Sequence, residues 1–198
     1  MVRSLPSFDK MWNNYPTVER PDLITEIGGK VETTVRPTLS TANPWNTCAI
    51  RVSRAFNYAG DPIPQRHILQ RSPDKRLLAV LLGGDKMWYA YRVNELIHYI
   101  TEVYGSASGK ASMNARDDLG NVLPGTPCLI TFNFEEIDKE TRRNRAASHI
   151  DLWDGKAIRY NNVLLTESTG HSYVVRHWEF IGLPETRPQA ETRPQGAP

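Results

Sequence analysis

Asn46-Thr47-Cys48-Ala49-Ile50-Arg51-Val52-Ser53-Arg54-Ala55-Phe56-Asn57-Tyr58-Ala59-Gly60 reads as a single helix with a cysteine at its mouth. Ala49, Ile50, Val52, Ala55, Phe56 and Ala59 recur at helical spacing, and Gly60 and Pro62 stop the element. Asn46 or Thr47 can serve as N-cap, so the helix spans about residues 47–59. A thiol in the first turn faces backbone N–H groups without intrahelical acceptors and the positive end of the helix dipole. That position favours the thiolate, which is the form a nucleophile needs. The same N–H groups, that of Cys48 included, are candidates to hold the oxyanion of a tetrahedral intermediate.

A second segment, Ser148-His149-Ile150-Asp151-Leu152-Trp153-Asp154-Gly155, reads as a strand and a turn. His149 and Asp151 alternate with Ile150 and Leu152, which places the polar pair on one face and the aliphatic pair in a core. Asp154-Gly155 is a hairpin-turn signal, with a returning strand through Ala157, Ile158 and Tyr160. A histidine on a strand facing a cysteine at a helix N-terminus can run amide hydrolysis. The imidazole takes the thiol proton, the thiolate attacks a carbonyl, and the imidazolium protonates the departing amine. The two segments lie about a hundred residues apart, and no local spacing rule joins them.

Other chemistry finds less support. His149, Asp151, His171 and His177 are metal-compatible residue types at spacings that match no zinc motif, and no cofactor is expected. Gly83-Gly84-Asp85 is a tight turn without the lysine and hydroxyl residue of a phosphate loop.

Four stretches resemble one family in its own order. Asn46 to Ser53 followed by Asn57-Tyr58-Ala59-Gly60-Asp61-Pro62-Ile63-Pro64 resembles the cysteine helix of the fourth family of type VI secretion amidase effectors. Ser7-Phe8-Asp9-Lys10-Met11-Trp12 and Ile27-Gly28-Gly29-Lys30-Val31 resemble its opening helix and Gly-Gly turn, and Met87 to Ile100 its strand-then-helix segment. Ser148 to Gly155 resembles its histidine strand, and the agreement runs from residue 7 to about 182. The resemblance implies an α+β fold of the papain-like, NlpC/P60 type, with N-terminal helices packed on an antiparallel sheet. It also implies a peptidoglycan amidase that cuts stem peptides between D-glutamate and meso-diaminopimelate. Cys48 is then the nucleophile and His149 the general base. A cognate immunity protein and the type VI secretion apparatus are the implied partners. Delivery into the periplasm of a recipient cell is the implied destination.

The third catalytic group departs from the family pattern, which places a carboxylate where Tyr160 falls. Tyrosine cannot orient an imidazolium as a carboxylate does. Asn161, one position on, is favoured here, because an amide oxygen can orient a papain-type histidine. Asp151 is the rival, since it shares a strand face with His149, although side chains at i and i+2 stand parallel. Asn162 is the outside alternative. Trp45 and Asn46, just before the cysteine, are placed either to line the substrate groove or to pack.

Composition bounds the rest. With 198 residues and 39% apolar content, the chain fits one domain over 1–183 with a core of ordinary size. The tail 184–198 repeats Glu-Thr-Arg-Pro-Gln and reads as unfolded. A net charge of +2, with basic residues scattered apart from Arg142-Arg143-Asn144-Arg145, offers no broad surface for nucleic acid. That short run reads as a solvated loop, or as a contact for an acidic polymer or protein. No apolar stretch reaches the roughly 20 residues of a membrane helix, so no membrane insertion is expected. Met1 to Lys10 lacks the apolar core of a secretory signal, so export by another route is expected.

Phe8, Met11, Trp12 and Tyr15 predict an early amphipathic helix, and Asn94 a cap for another with Leu96, Ile97, Ile100, Val103 and Tyr104 buried. Strands are expected at 128–134, 149–153, 156–160 and 172–181, with 105–121 and 135–147 as loops. Cys128, within an apolar run, reads as a buried structural residue rather than a partner for Cys48.

Overall fold

The cysteine helix is the centre of the molecule. In the computed structural model, which describes residues 2–39, 47–72, 74–114, 118–134, 148–160 and 172–180, helix α4 runs Cys48–Ala59. Ten of its twelve residues are buried, so it is a core helix rather than a surface one. Its two small polar residues serve as staples. Ser53 donates to Ala49 O at 2.7 Å and accepts from Ala90 N at 3.0 Å. Asn57 donates to Trp88 O at 2.9 Å and accepts from Ile63 N at 2.8 Å. Gly60 ends the helix in the left-handed conformation, φ 98°, where a side chain would be strained.

Before α4 come α1 (Phe8–Asn14), α2 (Arg20–Ile27) and α3 (Gly29–Val35), the last followed by a 3-10 turn at Arg36–Thr38. Ser7 caps α1, whose Phe8 and Met11 are buried in the same apolar cluster as Ala49, Val52 and Phe56. Between α2 and α3 the chain turns at Gly28 and Gly29, and Gly84 N donates to Ile27 O at 2.9 Å. A Cβ on Gly29 would stand 2.5 Å from Gly84 N, so this backbone-on-backbone approach requires glycine.

After α4, β1 (Val80–Leu82) and β2 (Trp88–Ala90) form an antiparallel pair around the Gly83-Gly84-Asp85 turn, and α5 (Val93–Tyr104) follows. Then come β3 (Gly109–Asn114), a single helical turn α6 (Leu119–Val122), β4 (Cys128–Phe134), β5 (Ser148–Trp153) and β6 (Ser172–Glu179). The last four strands make one antiparallel sheet in the order β3-β6-β4-β5, which leaves β5 at an edge among the described residues. One face of the sheet sends Leu129, Ile150, Leu152 and Trp178 into the core shared with α1, α4 and α5. The other carries Cys128, Ile130, Phe132, Trp153, Tyr173 and Val175 into a second cluster closed by Met113 and Leu123. No described helix is long and apolar enough to cross a membrane.

Helices first and an antiparallel sheet later is the α+β order expected. Three local expectations differ. Residues 105–121 contain β3 and α6, because Lys110, Ser112 and Asn114 are held by cross-strand pairing to β6 and not by apolar side chains of their own. Residues 156–160 do not form a strand. Asp154 accepts the amides of Lys156 and Ala157, only Ile158 bridges back to Trp153, and Tyr160 leaves the pairing to lay its ring on Arg51. Arg92, not Asn94, occupies the cap position of α5, and Asn94 instead accepts a 2.5 Å hydrogen bond from Ser148. The expected loop 135–147, Ile181 at the end of the last strand and the tail 184–198 lie outside the described residues.

Candidate active site

Cys48 is the first residue of α4 and is 2% exposed. Thr47 stands at the cap position, where its side chain makes no capping hydrogen bond. The first-turn amides and the helix dipole therefore act on the sulfur without a competing side-chain oxygen.

His149 is the second residue of β5, and its ring stacks 6.0 Å from that of Phe132, its cross-strand partner. Nε2 lies 3.2 Å from Asp151 Oδ2, and Nδ1 carries no hydrogen bond among the described residues. Burial alone would lower the imidazolium's pKa. The Cys48 thiolate and the Asp151 carboxylate more than offset this and hold it up at about 10. The structure thus sets thiol, imidazole and carboxylate side by side, all three buried.

Asp151 is fully buried. Burial raises its carboxyl above the ordinary range, against the opposing pull of His149, the Leu152 amide and Tyr15. Its Oδ1 accepts from Leu152 N at 2.7 Å, which leaves Oδ2 for the imidazole. Side chains two apart on a strand were expected to stand parallel and miss each other. Anchoring one carboxylate oxygen to the adjacent amide lets the other reach His149. The alternation of β5 holds, but both faces are buried, because the polar one is covered as well.

What covers it is a set of residues that sequence reasoning gave no role. Arg51, one turn along α4 from Cys48, is 1% exposed, and its Nη1 donates to Pro16 O at 2.8 Å. Its guanidinium carbon sits 3.6 Å from the centre of the Tyr160 ring, whose hydroxyl reaches Glu19 Oε2 at 3.4 Å. Nε and Nη2 make no hydrogen bond among the described residues. The Tyr15 hydroxyl likewise makes none, yet it lies close enough to Asp151 and Cys48 that their negative charge, added to burial, holds it well above its ordinary value. A signal for Arg51 was present in the sequence: at i+3 from Cys48 it shares that residue's helix face, which is otherwise apolar.

Trp45, Asn46, Asn161 and Asn162 lie outside the described residues. Cys128, like Cys48, is in no disulfide; it is fully buried on β4 opposite Trp153, and burial pushes its thiol far above the usual range.

With this geometry in place, likeness to known proteins takes on meaning. A family model described as type VI secretion system (T6SS) amidase effector protein 4, Tae4, matches residues 45–179. The solved type VI effector Tae4 from Enterobacter cloacae is 24% identical, with a TM-score of 0.69, over 91% of this chain and 99% of its own. Tae4 from Salmonella typhimurium, solved in complex with the immunity protein Tai4 from Enterobacter cloacae, is 25% identical over 88% of this chain and 99% of its own, TM-score 0.63. A Tae4 from Salmonella typhimurium solved with Tai4 is also 25% identical, over 88% of this chain and 98% of its own, with a TM-score of 0.65. No curated protein matches the sequence. The likeness to these structures makes the α+β fold one of the papain-like, NlpC/P60 type.

Proposed function

This chain belongs to the type VI secretion system amidase effector 4 family, and from that premise we propose that it cleaves the D-glutamyl–meso-diaminopimelate amide of peptidoglycan stem peptides through the Cys48 thiol. The observation that supports this reading is the adjacency of Cys48, at the mouth of α4, to a His149 ring whose Nε2 lies 3.2 Å from Asp151 Oδ2.

In this reading His149 accepts the thiol proton, with Asp151 supporting the imidazolium that forms. The thiolate attacks the amide carbonyl, and first-turn amides of α4 receive the developing oxyanion. The imidazolium then protonates the departing amine, and water resolves the thioester with His149 again as base. Asp151 is preferred to Asn161 as the orienting group because its carboxylate is already in contact. Tyr160, at the position where the family pattern has a carboxylate, faces Arg51 instead. Trp45 and Asn46, immediately before Thr47, are assigned the approach to the thiol. Delivery by the type VI apparatus to a recipient's periplasm, and inhibition by a cognate immunity protein that covers Cys48 and His149, complete the proposal.

The test is incubation of the protein and of Cys48→Ala with tetrapeptide muropeptides, read by mass spectrometry. Release of the fragment beyond D-glutamate by the native thiol alone supports the assignment. No cleavage by either protein, both folded, refutes it and leaves a binding module on an amidase scaffold.

A further inference from the structure

The sheet carries a second concave surface that the amide chemistry does not use. A groove of about 830 Å³ lies between α5 and the sheet face that α5 covers. Arg71 and Arg76 line it from the loop before β1, and Lys110 and Arg176 line it from β3 and β6. No carboxylate lines it among the described residues. Arg76 is paired with Asp74 at 3.5 Å and with Glu95 at 3.4 Å. Arg71, Lys110 and Arg176 form no ion pair among the described residues.

Two features of this surface are unfavourable to the fold alone. Lys110 and Arg176 are direct cross-strand partners, and like charges placed opposite each other weaken a sheet. Beside them stand acceptors and hydroxyls without partners. Thr131, opposite Arg176 on β4, is fully buried, and its hydroxyl makes no hydrogen bond among the described residues. Asn133, two residues on, lines the groove with its Oδ1 likewise unpartnered. Its cross-strand neighbour Ser148 donates to Asn94 Oδ1 at 2.5 Å, so the hydroxyl and the amide at this end are already fixed in place. A ligand that brings carboxylates to the cations and an N–H or O–H donor to Asn133 resolves both features at once. A peptide with free carboxylates has that composition.

We infer that this groove is a binding site for the free carboxylates of a peptidoglycan stem peptide other than the one being cut, so that the protein holds the polymer at two points. The choice of ligand rests on the amidase reading above and on position. Ser148 lines the groove, and His149 follows it on β5 with its side chain on the opposite face. A polymer that displays acidic stems in series can present one to Cys48 and the carboxylates of a neighbour here. The volume suits a short peptide. A net charge of +2 leaves no further cationic track along which a nucleic acid would extend.

Binding of Cys48→Ala to purified sacculi, read by co-sedimentation, tests this without cleavage. Adding Lys110→Gln and Arg176→Gln together is expected to weaken binding about tenfold. The urea midpoint is expected to hold or rise, since a like-charge pair is removed. Sacculi with amidated carboxylates are expected to bind about tenfold more weakly, with no further loss on adding the two substitutions. Binding that the two substitutions leave unmoved overturns the inference, and so does a loss that persists on amidated sacculi. Should the double variant fail to fold, the exposed Arg71→Gln carries the test, with a loss of about threefold. Soluble tetrapeptide muropeptide is expected to displace the protein from sacculi at lower concentration than poly-glutamate of equal carboxylate content. Poly-glutamate that competes as well assigns the groove to an acidic protein segment and overturns the inference, as does single-stranded DNA bound through the same residues more tightly than sacculi. Groove-dependent binding with no muropeptide cleavage by the native protein upholds this site and refutes the amidase reading. Cleavage with groove-independent binding refutes this site alone.

Discussion

The two cysteines stand on opposite sides of one question. Cys48 and Cys128 are both outside any disulfide, both nearly or wholly shielded from water, and both adjacent to β5, one from α4 and one from β4. Cys128 lies among Ile130, Phe132 and Trp153, where burial pushes its thiol far up and only Glu179 adds charge, in the same direction. Cys48 lies at a helix N-terminus with an imidazole beside it and a buried carboxylate and guanidinium behind that. Burial is common to both. What differs is the charged groups within reach of the sulfur.

That contrast can be broken in four ways. The largest expected effect is on hydrolysis: Cys48→Ala lowers it by about 10^4-fold or more, whereas Cys128→Ala leaves kcat within about twofold and costs ~1–2 kcal/mol of stability through a small cavity. Muropeptide assays and urea denaturation of the two variants read both numbers, and equal losses of activity would erase the contrast. Next is the carboxylate. Asp151→Asn keeps shape and removes charge, and kcat is expected to fall by about 10^2 to 10^4-fold. A loss below about threefold would move the orienting role to Asn161.

Alkylation is the third and milder probe. At pH 7 iodoacetamide is expected to label Cys48 about 10^2-fold faster than Cys128 in the folded protein, and peptide mapping by mass spectrometry counts the two sites. Equal labelling would mean that local unfolding, not electrostatics, governs both. The smallest effect is on stability against pH. The His149 imidazolium is raised in the folded state from 6.5 to about 10. Its contribution is therefore fully present below about pH 6.5 and is lost as pH rises through about 10. Urea midpoints from pH 6 to 10 should fall more steeply in the native protein than in His149→Gln. Parallel curves would show that the imidazolium gains nothing from its neighbours.

How much of this was legible varied with the kind of interaction. The cysteine helix was readable to within a residue because its signals are local: apolar spacing, a capping position and a terminal glycine. The histidine strand and the turn at Gly155 were readable for the same reason. β3 was not, since its polar residues join the sheet only through β6, about sixty positions later. The returning strand after Gly155 was expected on pattern and is replaced by a loop, in which Ile158 bridges back to Trp153 and the Tyr160 ring lies on the Arg51 guanidinium. The contact between His149 and Asp151 was discounted on strand geometry, which knows nothing of the Leu152 amide that anchors one oxygen.

By itself the sequence determined the chemistry available: a cysteine where a helix begins, a histidine on a strand, a neighbouring carboxylate, and an order of helices before sheet. These follow from side-chain type and near-neighbour spacing, which the covalent chain fixes. Only the tertiary structure decided which of those groups meet. It brought Cys48 to His149, turned Asp151 onto the imidazole, and buried Arg51 under Tyr160. Coulombic and hydrogen-bond energies depend on separations of a few ångströms between residues far apart in the chain, and those separations exist only once the helix has packed against the sheet edge.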